Sequence, residues 1–136
     1  MTKTSDIGIA VVGAGRIGTL RARLAAKHPA VRFLAISDLD PERARALAQA
    51  AGADFHTGSN EEAISHPQVT AVIVSTPEQS HTAPILRALE LGKPVLVEKP
   101  IGFSLDEADR ILAALGAGTT AVAVLGPEAL LTPGRW

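Results

Sequence analysis

The sequence has no cysteine, no tyrosine, few other aromatic residues and no long apolar run. Without cysteine there are no disulfides, no thiolate metal sites and no cysteine nucleophile, which fits the cytoplasm. Every apolar stretch is shorter than the roughly 20 residues that a membrane-spanning helix needs. The short polar start, Met1 to Asp6, lacks the pattern of a signal peptide. We therefore expect a cytoplasmic protein with no membrane segment.

Neither sign of charge is in excess. The formal net charge is −1, and no basic run suggests a nucleic-acid partner. The 136 residues suffice for one domain with a core, and 46% of them are hydrophobic although only 3% are aromatic. The core must therefore be built from Ala, Val, Leu and Ile. This composition is usual for parallel α/β sheets, whose strands are buried on both faces.

An apolar stretch, residues 7–12, runs directly into a glycine turn. Gly13, Gly15 and Gly18 fill the pattern G-x-G-x-x-G. In this pattern the first glycine allows the tight turn, the second lets a pyrophosphate approach the backbone, and the third lets the helix pack closely. The N–H groups that start the helix would point at that phosphate. The segment therefore predicts a dinucleotide-binding loop.

Asp38 ends the next apolar run, residues 31–37, and lies 20 residues after Gly18. The β-branched and aromatic residues of this run predict a strand beside the first one. A carboxylate at its end can accept hydrogen bonds from both ribose hydroxyls of an adenosine. Because it would also repel a 2′-phosphate, it favours NAD over NADP.

A plainer interpretation of the acidic residue is also open. Asp38 could merely start a turn, with Asp40 capping a helix that begins at Pro41. On that helix, Arg43 and Arg45 could soften the preference against NADP, or they could be a solvated helix face. The sequence leaves both alternatives standing.

Strand and helix patterns alternate along the chain. Apolar residues recur at helical spacing after the glycine loop: Ile17, Leu20, Leu24 and Ala25. We predict strands at 7–12, 31–38, 53–56, 70–75, 94–97 and 120–125, and helices after the loop, at 41–51, after a capping box at 59–62, at 80–91 and at 104–115. The alternation predicts an α/β fold, a Rossmann-type doubly wound parallel sheet of order 3-2-1-4-5-6, as a single domain over residues 1–125.

A polar turn, Ser75, Thr76 and Pro77, follows the predicted strand at 70–75. Ligands of open α/β sheets bind at the carboxyl ends of the strands, so this turn could hold the ribose on the nicotinamide side. An ordinary turn with a Ser or Thr cap explains it equally well. Of the four histidines, only His81 falls within a plausible site. No pair of histidines has zinc-site spacing, and no G-x-S-x-G elbow is present.

Charged residues follow the predicted strand at 94–97. Lys99 could donate a hydrogen bond to a substrate hydroxyl or carbonyl and help to move its proton. Glu98 could orient this lysine, and Pro100 would fix the turn. The alternative is that the charges are simply solvated, as they often are where a strand ends.

Together these motifs resemble the N-terminal domain of the glucose-fructose oxidoreductase/inositol dehydrogenase (Gfo/Idh/MocA) family over about residues 6–115. The resemblance rests on the glycine loop, the stretch from Asp38 to Ala44, the Ser75–Pro77 turn with His81, and above all Glu98-Lys99-Pro100. It implies hydride transfer between nicotinamide and a hydroxyl-bearing carbon of a sugar or cyclic polyol, in enzymes that can form oligomers.

The resemblance also implies roles for individual residues. Lys99 would be catalytic, contacting the reacting hydroxyl and assisting proton transfer. The cofactor, NAD rather than NADP, would be surrounded by Gly13, Ala14, Gly15, Arg16, Ile17, Gly18, Asp38, Ser75, Thr76, Pro77, His81, Glu98, Lys99 and Pro100. The cofactor would perform the hydride chemistry, and the protein would position it and manage the proton.

The resemblance fades after Leu115. Family members have a second half that carries much of the substrate pocket, the oligomer interface and a further Asp/His acid/base pair. Residues 126–136 do not resemble the start of that half, and we expect a poorly ordered tail. A shifted reading frame and a deliberately short protein are both open explanations. We expect the NAD-binding half of a dehydrogenase, inactive alone, or a stand-alone dinucleotide-binding module.

Overall fold

The structure, a computed structural model, describes residues 7–77, 80, 82–98, 106, 109–113 and 122–125, with the backbone alone for 98 and 122–125. They form a six-stranded sheet of order β3-β2-β1-β4-β5-β6, in which all strand pairs are parallel. The predicted doubly wound topology is confirmed. The elements are β1 (Ile7–Val12), α1 (Arg16–Lys27), β2 (Val31–Ser37), α2 (Pro41–Ala51), β3 (Phe55–Thr57), α3 (Asn60–Ile64), β4 (Ala71–Val74), α4 (Thr82–Glu90), β5 (Val95–Glu98) and β6 (Val122–Leu125).

The side chains of the strands point alternately into two apolar layers, one on each face of the sheet. On the first face, Val11 and Ile36 pack with Ala22 of α1 and Leu47 of α2. On the second face, the core contains residues of β1, β4, β5, α3 and α4, together with Ile111 from the helical residues 109–113. Side chains of a strand point alternately to the two faces, so a parallel sheet buried on both sides needs apolar residues at successive positions.

The ends of α2 follow their sequence signals. The Asp40 side chain accepts a hydrogen bond from the Glu42 backbone N–H at 3.0 Å, and Pro41 occupies the first turn. Gly52 ends the helix with a φ of 72°, in the left-handed region that glycine adopts without strain. The alternative interpretation of Asp40 as a helix cap is therefore confirmed.

The capping box before α3 is only half formed. Ser59 accepts a hydrogen bond from the Glu62 backbone N–H at 3.2 Å. The reciprocal bond is replaced by Thr57, whose hydroxyl donates to the Glu62 carboxylate and accepts from the Ser59 N–H at 3.0 Å. The neighbouring Thr57 hydroxyl thus bonds both the Ser59 N–H and the Glu62 carboxylate, and the capping sequence at 59–62 gives no sign of this competition.

Helix α1 forms as predicted, but its apolar spacing does not mark its buried side. Its buried residues are Gly18, Ala22 and Ala25, whereas the three larger residues of the pattern are exposed: Ile17 by 40%, Leu20 by 51% and Leu24 by 55%. Small residues let the helix lie close to the sheet. A Cβ at Gly18 would come within 1.7 Å of the Gly13 carbonyl oxygen, so this approach excludes any side chain there.

Other boundaries differ from the predicted ones by a few residues. Helix α4 begins at Thr82 rather than at 80, and β3 occupies Phe55–Thr57 rather than 53–56. Of the helix predicted at 104–115, residues 106 and 109–113 are described, and they are helical. The predicted tail at 126–136 lies outside the described residues. Within the described ranges, no helix is both long and apolar enough to cross a membrane.

Candidate functional site

A cleft of about 510 Å³ lies where β1, β2 and β4 end. These are carboxyl ends of neighbouring parallel strands, and in open α/β sheets ligands bind at this edge. The cleft brings together eight residues predicted for the site: Gly13, Gly15, Arg16, Ile17, Asp38, Ser75, Thr76 and Pro77. Ala14 and Gly18 are buried and are not among the lining residues. Glu98 ends β5, and the side chain of Glu98 lies outside the described residues, as do His81, Lys99 and Pro100.

The first glycine of the loop is required by the protein itself. Gly13 has a φ of 105°, which L-residues rarely adopt. A Cβ here would lie 2.8 Å from the carbonyl carbon of Ser75, while the Gly13 N–H donates to the Ser37 carbonyl at 2.8 Å. The loop therefore passes closely over the ends of β2 and β4.

The second glycine, unlike the first, is not required by its backbone conformation or by close packing against another strand. Gly15 has an ordinary φ of −81°, and among the described residues the only group near a Cβ there would be Nη2 of Arg43, at 3.3 Å. Gly15 is also the N-cap of α1 and offers no side-chain cap. The helix therefore begins with backbone N–H groups left for another partner, beside space that a side chain would fill. This observation fits a bound pyrophosphate.

Asp38 connects the glycine loop to the turn that leads into α2. Its Oδ2 accepts a hydrogen bond from the Ala14 N–H at 2.7 Å, and its Oδ1 accepts one from the Asp40 N–H at 2.8 Å. Asp38 therefore starts a turn, as one interpretation of the sequence predicted, and its role towards a cofactor stays a prediction. Each carboxylate oxygen can accept further bonds, so the same group is able to receive ribose hydroxyls from the cleft.

Ser75 presents a buried hydroxyl beside the loop. Its backbone N–H donates to the Val12 carbonyl at 2.7 Å, and its Cβ would be 3.5 Å from a Cβ at Gly18. Within the described part of the chain, its Oγ is buried and has no hydrogen-bond partner. Buried polar groups without a partner are costly and rare, and such a group in a cleft fits a ligand or water that completes it.

The cleft also contains residues that the sequence did not single out for it. Leu39 is 78% exposed beside Asp38. Asn60 lines the cleft too, and its Oδ1 accepts a hydrogen bond from the fully buried Ser37 hydroxyl at 2.9 Å. Asn60 follows β3, and the order of the sheet was the signal that could have placed it here. Ser80 is a further lining residue.

The two arginines considered for α2 have different surroundings. Arg43 lines the cleft and reaches over Gly15. Arg45 lies outside it and donates hydrogen bonds to Glu42 and Gln49. The bond from Arg45 lowers the pKa of the Glu42 carboxyl. The described cleft thus carries the cations Arg16 and Arg43 against one carboxylate, Asp38, which suits a ligand with several negative charges.

The model of the Gfo/Idh/MocA oxidoreductase family, with an NAD-binding Rossmann fold, matches residues 7–124. The chain belongs to this family. It is 36% identical over 110 residues to an inositol 2-dehydrogenase of Rubrobacter xylanophilus, covering 79% of this chain and 31% of that protein. The chain therefore spans about a third of the length of this relative.

Solved structures of family members share the fold. A myo-inositol dehydrogenase from Lactobacillus casei, in complex with NAD(H) and myo-inositol, superposes with a TM-score of 0.80 at 25% identity, covering 87% of this chain and 36% of that one. A mutant of KijD10, a 3-ketoreductase from Actinomadura kijaniata, in complex with TDP-benzene and NADP, superposes with a TM-score of 0.76 at 28% identity. That match covers 88% of this chain and 38% of the ketoreductase.

Proposed function

We propose that this chain binds NAD and is the nucleotide-binding part of an oxidoreductase. The enzyme would transfer hydride between nicotinamide and a hydroxyl-bearing carbon of a sugar or cyclic polyol. One observation carries the proposal: Asp38 and the uncapped start of α1 at Gly15 line one cleft, joined by the bond from Ala14 to Asp38. The inositol dehydrogenase names of similar proteins support the substrate class.

The residues of the cleft can be assigned to separate parts of the cofactor. Gly15 and the start of α1 would hold the pyrophosphate, with Arg16 adding positive charge. Asp38 would accept hydrogen bonds from the adenosine ribose. Leu39 offers an apolar surface to the adenine beside it. These assignments add residues such as Leu39 to the glycine motif, because the folded chain brings them to the same cleft.

A second group of residues would serve the nicotinamide side. Ser75, with its buried hydroxyl, Thr76 and Pro77 line the same cleft at the end of β4. His81 and Pro100 belong to this group by their resemblance to the family. NAD, when bound, supplies the acceptor for the hydride.

Lys99 is our candidate for the residue that assists proton transfer. It directly follows Glu98, the last residue of β5, and β5 is parallel to β4, so its carboxyl end lies at the edge of the sheet that bears the cleft. As the alcohol carbon gives up hydride and becomes a carbonyl, the hydroxyl proton must leave, and Lys99 would contact that hydroxyl and assist the transfer. Glu98 would orient the lysine.

A second candidate is a dinucleotide-binding module without catalysis, since the residues that line the described cleft can all be assigned to a nucleotide. The relatives are about three times as long as the part that matches. Both candidates predict that the chain binds NAD. They differ in whether hydride transfer appears when the remaining part of an enzyme is supplied.

Calorimetric titration with NAD is the first test, and no measurable binding would refute both candidates. Turnover is then followed by NADH absorbance with myo-inositol. The chain alone should be inactive, whereas its fusion to the remaining two thirds of the Rubrobacter enzyme should form NADH. Lys99→Ala in that fusion should retain NAD binding and lose turnover. If the variant stays active, Lys99 is not the proton-transfer residue.

A further inference from the structure

The cleft contains an amide group that uses only part of its hydrogen-bonding capacity. Asn60 is half-buried and lines the cleft. Its Oδ1 accepts a hydrogen bond from the Ser37 hydroxyl at 2.9 Å, whereas within the described residues no group accepts one from its Nδ2. Because an amide nitrogen carries two N–H donors, the described part of the cleft leaves both of them for a ligand.

Ser37 fixes the orientation of this amide. It is the last residue of β2 and is fully buried, and its hydroxyl donates to no described group other than the Asn60 Oδ1. A buried hydroxyl that loses its acceptor costs stability, so the amide is held with its oxygen towards Ser37. The nitrogen is the other branch of the same planar group and therefore points away from Ser37.

The buried serine alone does not explain why residue 60 is an asparagine. A carboxylate at this position would accept the Ser37 proton in a stronger, charge-assisted bond. What the amide provides in addition is a pair of N–H donors without negative charge. Since the cleft suits a ligand with several negative charges, an uncharged donor is compatible with that ligand, whereas a second carboxylate would repel it.

The order of the sheet shows from which side Asn60 reaches the cleft. The strands run in the order β3, β2, β1, β4, with neighbouring strands about 4.8 Å apart. The Asp38 N–H donates at 3.3 Å to the carbonyl of Thr57, the last residue of β3, and Asn60 follows shortly after it. Asn60 therefore reaches the cleft from the β3 side of Asp38, while the glycine loop, at the end of β1, reaches it from the other side.

This arrangement parallels the order of groups in a dinucleotide. In the proposed binding of NAD, the pyrophosphate lies at Gly15 and the adenosine ribose at Asp38. The pyrophosphate is joined to C5′ of that ribose and the adenine to C1′, so the base extends from the ribose on the side away from the phosphate. On the protein, Asn60 is the residue that lines the cleft on that side of Asp38.

Adenine offers a partner that suits a fixed N–H donor. Its edges carry ring nitrogens, which accept hydrogen bonds, and one amino group, which donates. An amide that could turn over would serve either kind of group, but an amide whose oxygen is engaged by Ser37 can bond only an acceptor. The contact expected of Asn60 is therefore with a ring nitrogen.

We propose that Asn60 recognises the base in this cleft: its Nδ2 donates a hydrogen bond to a ring nitrogen of adenine, and Ser37 holds the amide in the orientation that donates. This role rests on the proposed binding of NAD and adds selectivity for the base. The glycine loop and Asp38 would bind pyrophosphate and ribose, which occur with other bases as well. Leu39 would lie against the face of the base, whereas Asn60 would contact its edge.

Analogues of NAD that lack one ring nitrogen test this contact. In the 1-deaza-, 3-deaza- and 7-deazaadenine dinucleotides a C–H group replaces one acceptor, while the shape of the base is kept. Each analogue is titrated calorimetrically into the native chain beside NAD. At least one of them should bind about fivefold to tenfold more weakly than NAD, because it lacks the acceptor for one hydrogen bond.

Asn60→Asp is the variant that removes the donor and keeps the bond from Ser37. Its carboxylate accepts that bond but has no N–H to donate, so the analogue that binds the native chain weakly should bind Asn60→Asp as well as NAD does. The two dissociation constants are compared within one variant, because the added charge acts on both ligands alike. Glu61→Ala is the matched control: Glu61 is exposed next to Asn60 and is not among the lining residues, so this variant should keep the native ratio.

Two results would overturn the role of Asn60 and leave NAD binding in place. One is equal affinity of the native chain for NAD and all the analogues, and the other is the same loss of affinity in Asn60→Asp. Absence of NAD binding to the native chain would overturn this role together with the proposed function. In Ser37→Ala the amide is free to turn, so discrimination between NAD and the weak analogue should shrink, and unchanged discrimination would refute the role of Ser37.

Discussion

The carboxylate of Asp38 accepts a hydrogen bond from the Ala14 N–H at 2.7 Å, across 24 residues of chain. Its other oxygen accepts from the Asp40 N–H at 2.8 Å. The residue that sequence reasoning assigns to the cofactor thus also holds the glycine loop in place. If Asp38 also binds the ribose, as we propose, a single carboxylate serves both the loop and the ligand, and substitution at this position should change stability as well as affinity.

Asp38→Ala tests this double role. Loss of the two bonds should lower the free energy of unfolding by about 1–3 kcal/mol, and loss of the charged ribose contact should weaken NAD binding about 10- to 100-fold. Asp40→Ala is the control: it removes the cap of α2, which costs about 1 kcal/mol, and leaves NAD affinity unchanged. Urea unfolding and calorimetry measure the two quantities. Equal NAD affinity of Asp38→Ala and the native chain would exclude the ribose role.

The two glycines at the start of α1 should respond differently to alanine. In Gly18→Ala the new methyl would meet the Gly13 carbonyl oxygen at 1.7 Å, so we expect a loss of about 1–3 kcal/mol in unfolding free energy. Gly15→Ala meets no backbone atom of the described residues and should alter stability by less than about 1 kcal/mol. It should nevertheless weaken NAD binding about tenfold or more, since the methyl occupies the approach of the pyrophosphate. Unchanged affinity in a folded Gly15→Ala chain would contradict this placement.

Arg43 and Arg45 form a matched pair for cofactor choice. Arg43 lies over the cleft, where its guanidinium can meet a 2′-phosphate and offset the repulsion from Asp38. Arg43→Ala should therefore weaken NADP binding about tenfold, through a lost charge-assisted contact, and NAD binding less. Arg45→Ala removes only the surface pair with Glu42 and should leave both affinities as they are. The measurement is the ratio of the dissociation constants for NADP and NAD in the native chain, Arg43→Ala and Arg45→Ala. The same ratio in all three would refute the role of Arg43.

The order of the sheet was predictable because strong local signals alternate along the chain. Apolar runs such as 7–12 and 70–75 each precede a turn, and glycine or proline marks the helix ends. Asp38 lies 20 residues after Gly18. This spacing is typical of a glycine loop and an acidic residue at the ends of neighbouring strands. Their assembly in one cleft follows from the topology.

Other features depend on packing that a linear pattern does not contain. Leu20 and Leu24 have helical spacing, yet Gly18 and Ala22 face the sheet, because a close approach excludes large side chains. Asn60 belongs to a capping sequence and still reaches the cleft, since β3 ends at the same edge as β1 and β2. Sequence spacing reports which residues share a side of an element, but the neighbouring element decides which side is buried.

Ser75→Ala provides the last test, because its two possible roles predict opposite effects. In the described part of the chain the Ser75 hydroxyl is buried without a hydrogen-bond partner, and such a group costs stability in the free protein. If the hydroxyl serves the cofactor, its removal should raise the free energy of unfolding without NAD, by about 1 kcal/mol, and lower NAD affinity about fivefold, the value of one hydrogen bond. Thermal unfolding with and without excess NAD shows both effects, since a ligand stabilises the folded state by an amount that rises with the logarithm of its affinity. A chain that becomes less stable without NAD and binds NAD as before would show that the hydroxyl is structural.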